Sequence, residues 1–359
     1  MPDALDAARM DEALELARRG WGQTSPNPLV GAVIYNGSTR VGSGHHARFG
    51  EAHAEVIALA EAGERARGAT LYATLEPCSH HGKTPPCVDA IVKAGISRVV
   101  IAARDPNPVA AGGADRLRAA GIAIDIGVRE NEAREINAAF FNSAASDRPW
   151  VTLKLALSLD GAITGAGRTG GWLTGEQSRT EVQRLRAASD AIAVGIQTAL
   201  VDNPRLTART DPPPRIAPTR VVFDRSARLP VESILAKTAR EIPTLLVTSR
   251  AARLSTDLAG AGVEQLTAVD VADALHKLKA RGIASLLVEG GAGLAASFLA
   301  GGFVDRFVIF RAPIILGEGA LGAFSGIASQ EVQHAPRLTL IETRALGDDV
   351  MSVYSVRKG

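Results

Sequence analysis

His53, Cys78 and Cys87 constrain this chain more than any other residues, because whatever fold it adopts has to carry three soft donors from three separate segments to one point. Both cysteines of a 359-residue chain are spent here. Zinc takes nitrogen and thiolate ligands in a tetrahedron, and three protein ligands leave one position open, which distinguishes a catalytic ion from a structural one. His53 stands in Gly50-Glu51-Ala52-His53-Ala54-Glu55-Val56, which reads as the opening of a helix. Thr84-Pro85-Pro86-Cys87 reads as a second opening, with Thr84 as the cap and a proline in the first turn. Helix N-termini favour anionic ligands such as thiolates. Taken singly, the cysteines suit small buried hydrophobes and His53 suits a core histidine. Taken together, with Glu55 beside them, they read as a metal site.

The order His-x-Glu, then Pro-Cys, then a second Cys is that of zinc deaminases of nucleobases, in which the glutamate moves protons and binds no metal. The expectation is therefore one zinc per chain, held by His53, Cys78 and Cys87. Zinc would lower the pKa of its water, and Glu55 would take that proton and later deliver one to the departing ammonia. Eight residues separate Cys78 from Cys87, whereas the general deaminase signature has two.

Forty basic against 38 acidic residues give a formal charge of +2, and no block of like charge stands out, so an extended nucleic-acid footprint is not expected. Met1 to Gly20 holds five acidic residues and no apolar run, which does not suit a signal peptide. The most apolar later stretch, 285–300, is interrupted by Glu289 and by glycines, so no membrane span is expected. Cysteines assigned to metal fit a reducing compartment. These features point to a cytoplasmic protein with small-molecule ligands and no membrane or nucleic-acid partner, expected to form a homo-oligomer.

The chain alternates strand and helix patterns, and its length suits two domains. Strands are predicted at 29–35, 70–74 and 98–102, with helices around 52–62, 87–94 and 113–120 and a helix stop at Gly95. This pattern implies an α/β sandwich on a largely parallel or mixed sheet. A polar helical stretch, 130–148, ends in Asp147-Arg148-Pro149, and a new strand starts at Trp150. The boundary is placed there, giving domains 1–147 and 148–359. The second half alternates again, with strands near 191–195, 220–223, 244–248, 285–289 and 306–310. It lacks a GxGxxG after its first strand, so a Rossmann fold is not supported. Gly290-Gly291-Ala292-Gly293 instead joins a buried strand to a helix, where free N–H groups and the helix dipole suit a phosphate.

Four stretches carry a resemblance. They are Ser25-Pro26-Asn27-Pro28-Leu29-Val30-Gly31 with Gly50 to Glu55; Thr74 to Cys87; Lys154-Leu155-Ala156-Leu157-Ser158-Leu159-Asp160-Gly161; and Val288-Glu289-Gly290-Gly291-Ala292-Gly293. In order and separation they resemble the bacterial bifunctional riboflavin-biosynthesis deaminase/reductase family over nearly the whole chain. The resemblance implies a cytidine-deaminase-like α/β/α sandwich followed by a dihydrofolate-reductase-like α/β domain. It further implies hydrolytic deamination of 2,5-diamino-6-ribosylamino-4(3H)-pyrimidinone 5′-phosphate, then NADPH-dependent reduction of the ribosyl group to a ribityl chain. By the same resemblance Asn27, His46 and Lys83 hold the pyrimidine and phosphate. Leu157, Trp172, Thr198, Asp202, Arg225, Gly291, Ala292, Gly293 and Leu294 contact NADPH, with Arg225 directed at its 2′-phosphate. Gly170, Arg186, Leu206, Arg209 and Glu289 contact the second substrate, and Gly170 stands where relatives commonly carry serine. Lys154 and Asp202 are both candidates for orienting or protonating the opened sugar, and His80 and His81 are unassigned. A deaminase with an inactive or differently specific second domain is the alternative; a purely structural zinc lacks an obvious fourth ligand.

Overall fold

The computed structural model of the protein describes residues 4–80 and 85–356. The chain divides into two compact units, Met1–Ser146 and Asp147–Gly359. The first contains, in order, α1 (Ala4–Ala17), β1 (Gly31–Asn36), β2 (Thr39–His45), α2 (Ala54–Ala62), β3 (Thr70–Leu75), α3 (Cys87–Ala94), β4 (Arg98–Ala103), α4 (Gly113–Ala119), β5 (Ala123–Ile126), α5 (Glu130–Ile136) and α6 (Ala138–Ala145). Its sheet has the order β2-β1-β3-β4-β5; β1 is antiparallel to β2 and β3, while β3, β4 and β5 run parallel.

Successive side chains of a strand point to opposite faces, so each strand feeds two cores. On one face Ile34, Leu71, Val99 and Ile101 pack against Ala58, Val88, Ile91 and Leu117 of α2, α3 and α4. On the other, Val33, Tyr72, Val100 and Ala102 meet Met10, Ala13 and Leu14 of α1 and Ala133 of α5. The unit is thus a helix–sheet–helix sandwich. Gly95 ends α3 in the left-handed region, φ 72°, as a helix-stopping glycine should. β2 lies directly under α2: a methyl group on Gly42 would sit 2.2 Å from the Ala58 carbonyl oxygen, and one on Gly44 2.4 Å from that of Ala54. This backbone contact locates the first turn of α2, which carries Glu55.

The second unit contains β6 (Trp150–Leu157), β7 (Ala162–Thr164), α7 (Glu176–Ala187), β8 (Ala191–Gly195), α8 (Ile196–Asp202), β9 (Thr219–Phe223), α9 (Ile234–Lys237), β10 (Thr244–Thr248), α10 (Thr256–Ala261), β11 (Glu264–Thr267), α11 (Val271–Ala280), β12 (Ser285–Val288), α12 (Ala292–Ala300), β13 (Arg306–Arg311), β14 (Leu321–Gly322), β15 (Leu338–Leu346) and β16 (Asp349–Val356). Nine strands form one sheet in the order β11-β10-β9-β8-β12-β6-β13-β16-β15. It is parallel from β11 to β13 and closes with the antiparallel hairpin β15–β16. β6 alternates cleanly: Val151, Leu153, Leu155 and Leu157 enter the core with α11 and α12, which leaves Lys154 on the opposite phase. Ile192, Val194, Val222 and Leu246 build a second core with α9 and α10 on the other face. Among the described residues, no helix is long and apolar enough to cross a membrane.

Candidate functional site

In the first unit, His53 immediately precedes α2, Cys78 follows β3 and Cys87 opens α3. His53 Nδ1 lies 3.2 Å from Cys87 Sγ and 3.5 Å from Cys78 Sγ, and the three donor atoms fall within 4.8 Å of one another. Tetrahedral zinc with bonds of about 2.0–2.3 Å needs ligand atoms about 3.3–3.8 Å apart, so the nitrogen and two sulfurs fit the ion in chemistry and spacing. The N-cap of α3 is Pro86, which offers no side-chain bond; Thr84, predicted to cap, lies outside the described residues. The helix start donates into Cys78 instead, with Cys87 N–H 3.3 Å from its sulfur and Val88 N–H 3.4 Å from its carbonyl oxygen.

These contacts set the ionisation of the group. Two sulfurs this close do not both ionise without a cation between them. Hydrogen bonds from Cys87 and His53 hold the Cys78 thiol down to about 4, while Cys87, as donor to that thiolate and buried, is pushed up. The Cys78 sulfur in turn raises His53. Glu55, 3% exposed in the first turn of α2, has its carboxyl pushed above the ordinary carboxylate range by burial. A carboxyl that takes up a proton readily is what a proton carrier needs.

A cavity of about 240 Å³ opens onto this group, lined among others by Asn27, His46, His53, Glu55, Cys78, His80, Asp105 and Asn107. His46 contacts the Ala52 carbonyl through Nδ1 and the Asn27 amide nitrogen through Nε2, both at 3.2 Å. Nδ1 therefore donates and Nε2 accepts, and burial keeps the ring neutral by lowering its pKa. Asn27 and His46 thus stand together beside the ligand group. Lys83 lies outside the described residues, as does His81. Sequence reasoning gave Glu76 no role beyond its place in Glu76-Pro77-Cys78 and missed Asp105 and Asn107. Glu76 accepts Ala114 N–H at 3.0 Å and Asp105 N–H at 3.2 Å, tying α4 and the turn after β4 to the Cys78 segment. The available signal was Asp105-Pro106-Asn107-Pro108, a turn sequence at the end of a buried strand.

In the second unit a cavity of about 1780 Å³ is lined by Gly170, Trp172, Arg186, Thr198, Asp202, Leu206, Arg209, Arg225, Glu289, Gly291, Ala292, Gly293 and Leu294, with Lys154 as well. Leu157 is not brought there: its side chain is in the core, and its carbonyl accepts Ala312 N–H at 2.8 Å. Trp172 is 73% exposed, with the Arg179 guanidinium 5.5 Å from its ring. Arg186 of α7 forms a two-pronged pair with Glu289, at 2.6 and 2.9 Å, and donates to the Thr207 carbonyl at 3.1 Å. Burial lowers the Lys154 pKa, against the raising effect of Glu289. Asp202 is raised by burial. Leu206 is held at φ 48°, sparsely populated backbone for a leucine.

Gly291 precedes α12 and gives it no side-chain cap, so the first-turn N–H groups of a nine-residue helix are free for a ligand. A methyl group on Gly291 would lie 3.2 Å from Thr198 Oγ1, so the glycine keeps that approach open. Across the cavity, Asp224 orders the turn bearing Arg225 by accepting the N–H groups of Arg228 and, at 2.9 Å, Leu229. An uncapped helix start, a glycine cradle and a fixed arginine suit a phosphorylated dinucleotide. At Gly170 the missing side chain has a local reason: a Cβ there would sit 2.5 Å from Asp202 Oδ1.

Comparison with known proteins gives a consistent picture over both units. The cytidine and deoxycytidylate deaminase zinc-binding region matches residues 4–103, and the RibD C-terminal domain matches residues 149–352. The chain is 43% identical, over 353 residues, to the riboflavin biosynthesis protein RibD of Aquifex aeolicus, with 98% of each chain covered. It is 39% identical over 373 residues to the Escherichia coli protein of the same name, covering 96% of this chain and 98% of that one. The structure of Acinetobacter baumannii RibD superposes with a TM-score of 0.86 at 37% identity, covering 98% of this chain and 99% of that one. That of the Thermotoga maritima diaminohydroxyphosphoribosylaminopyrimidine deaminase/5-amino-6-(5-phosphoribosylamino)uracil reductase gives 0.86 at 35% identity, with the same coverage.

Proposed function

This chain belongs to the RibD family of riboflavin biosynthesis proteins, and on that premise we propose how its residues divide two consecutive reactions. It is a bifunctional enzyme, with a zinc-binding deaminase region in one unit and a reductase domain in the other. Its substrate on this reading is the diamino-pyrimidinone ribosyl 5′-phosphate, and its final product carries a ribityl chain.

His53, Cys78 and Cys87 hold the zinc, which when bound supplies Lewis acidity that brings the pKa of water toward neutrality. Glu55 receives a proton from the attacking water and returns one to the departing amine nitrogen. Asn27 and His46 orient the pyrimidine, with His46 fixed as the Nδ1–H tautomer by the Ala52 carbonyl. The observation that carries this half is the convergence of one imidazole and two sulfurs beside a buried glutamate.

NADPH, when bound in the second unit, would supply the hydride equivalent for reduction at C1′ of the ribosyl group, and the ring oxygen released there would take up a proton. The turn before α12 would hold the cofactor phosphates and Arg225 its 2′-phosphate, an arrangement that would favour NADPH over NADH. Arg186 and Arg209 hold the sugar phosphate, and Glu289 keeps Arg186 oriented. Lys154 and Asp202, both on the cavity wall, are the candidates for orienting or protonating the opened sugar. The built cavity, with its buried ion pair, supports this reading over that of a deaminase alone.

A paired assay of the zinc-loaded protein with the diamino-pyrimidinone substrate, following ammonia and NADPH together, tests both halves. Ammonia release followed by NADPH loss is expected, with Glu55→Gln abolishing both from this substrate while retaining zinc. Ammonia without NADPH oxidation would sink the reductase half; ammonia from Glu55→Gln at the wild-type rate would sink the role of Glu55.

A further inference from the structure

We propose that Asp349 is a positioning residue of the reductase site: from the β15–β16 hairpin it caps α7 and so sets where Arg186 meets the sugar phosphate. The inference rests on the reductase reading of the second unit.

Helix α7 enters the cavity wall with Arg179, Val182 and Arg186, yet its own N-terminus is poorly provided. The N-cap is Gly175, which has no side chain to accept a first-turn N–H. The third helical residue is Ser178, too short to reach back to the N-cap N–H as a glutamate does in a capping box. Asp349 supplies the missing acceptor from far along the chain. Its Oδ2 takes the Gly175 N–H at 2.8 Å and the Ser178 hydroxyl at 2.6 Å. Ser178 is 0% exposed and Asp349 3%, so these bonds are shielded from water. A carboxylate at a helix N-terminus also opposes the positive end of the helix dipole.

The same hairpin grips α7 in two further ways. Met351 of β16 packs with Val182 and Phe310. Arg344 of β15 pairs with Glu181 at 3.0 Å. Cap, core and ion pair together leave α7 little freedom to slide along its axis, and Arg186 lies two turns further down it. Displacing a binding group by about 1 Å is enough to cost heavily in positioning. Asp349 touches no reacting atom on this reading; it acts through α7.

The test uses the full chain and compares Asp349→Asn and Ser178→Ala with wild type. Asp349→Asn is expected to raise the reductase KM for the pyrimidine substrate about tenfold, equivalent to about 1.4 kcal/mol. NADPH KM should stay within about twofold, because most of the proposed cofactor contacts lie on α8, α12 and the turn after β9. Ammonia release from the first unit should be unchanged, and a retained NADPH KM reports that the second unit, which carries the substitution, is folded. Asp349→Glu, which keeps the charge, should recover part of the loss, and combining Asp349→Asn with Ser178→Ala should add less than the two singles sum to. Equal rises in both KM values, or none in the substrate KM, would overturn the proposal. Should Asp349→Asn not accumulate as folded protein, Ser178→Ala decides by the same two constants. A wild-type protein that releases ammonia without oxidising NADPH would instead overturn the reductase reading beneath it.

Discussion

Neutralising Glu289 should be among the most damaging single changes in the second unit. Its carboxylate takes two short bonds from Arg186, 2.6 and 2.9 Å, with side chains 11% and 10% exposed, and Lys154 faces the same carboxylate. Glu289→Gln leaves two cations in a confined space with no anion between them. Breaking a buried pair by removing one partner costs about 3–5 kcal/mol. Because this pair lines a cavity rather than a sealed core, the lower end, about 3 kcal/mol, is expected. For a unit of about 200 residues that lowers Tm by about 6–12 °C. Calorimetry on Glu289→Gln, Arg186→Met and the double variant measures it. The double variant should be more stable than Glu289→Gln alone, since it removes the stranded guanidinium. A shift below about 1 °C in Glu289→Gln, or singles that simply add, would refute the reasoning. The reductase pH profile gives a second reading. Burial lowers the Lys154 pKa and Glu289 partly restores it, so losing Glu289 should move any Lys154 limb to lower pH.

Two further predictions concern other parts of the molecule. Gly170→Ser must push the Asp202 carboxylate aside, since a Cβ there would lie 2.5 Å from Oδ1. At about 1 kcal/mol for driving a side chain off its rotamer, NADPH affinity by calorimetric titration should fall about fivefold, and unchanged affinity would show that Asp202 does not meet the cofactor. In the first unit, Arg98 donates to Asp6 at 2.7 and 3.0 Å and, with Tyr72, holds its carboxyl below the ordinary value of 3.8. A depressed carboxyl adds stability that is complete above the unfolded pKa and is lost as pH falls through the folded one. Asp6→Asn should therefore cost about 1 kcal/mol at pH 7 and flatten the fall in Tm below pH 4; an unchanged acid profile would contradict it.

The parts of the fold legible in the sequence are those whose burial is one-dimensional. Leu71 to Leu75 and Val99 to Ala103 are buried apolar runs, and α3 has an amphipathic face with a glycine stop. β2 escaped because two of its three buried positions are Gly42 and Gly44, required by the overlying backbone of α2 rather than by any strand preference. β15 escaped because most of its residues are exposed, leaving no periodicity to read. The proposed ligand group was legible since its three residues lie within 35 positions and no other cysteines compete. The cavity of the second unit was not legible from the residues themselves: Arg184 is exposed and Arg186 buried on the same helix, and partners far along the chain, Glu289 and the Thr207 carbonyl, distinguish them. Without the family resemblance neither would have been singled out. Nothing in the sequence around Asp349 signals its partner α7.

The two sheets also differ in when they can form. In the first unit β1 pairs with β2 and β3, its next neighbours in the chain. In the second, the opening strand β6 sits in the sheet interior between β12 and β13, so Trp150 waits for Ser285 and Thr152 for Arg306. A ribosome making this protein therefore releases a deaminase half able to collapse early, followed by a hydrophobic strand that stays unmatched through much of synthesis. Distant pairing is slow and leaves strands exposed to wrong partners. Misfolding during production should fall on the reductase half, leaving chains that deaminate and go no further.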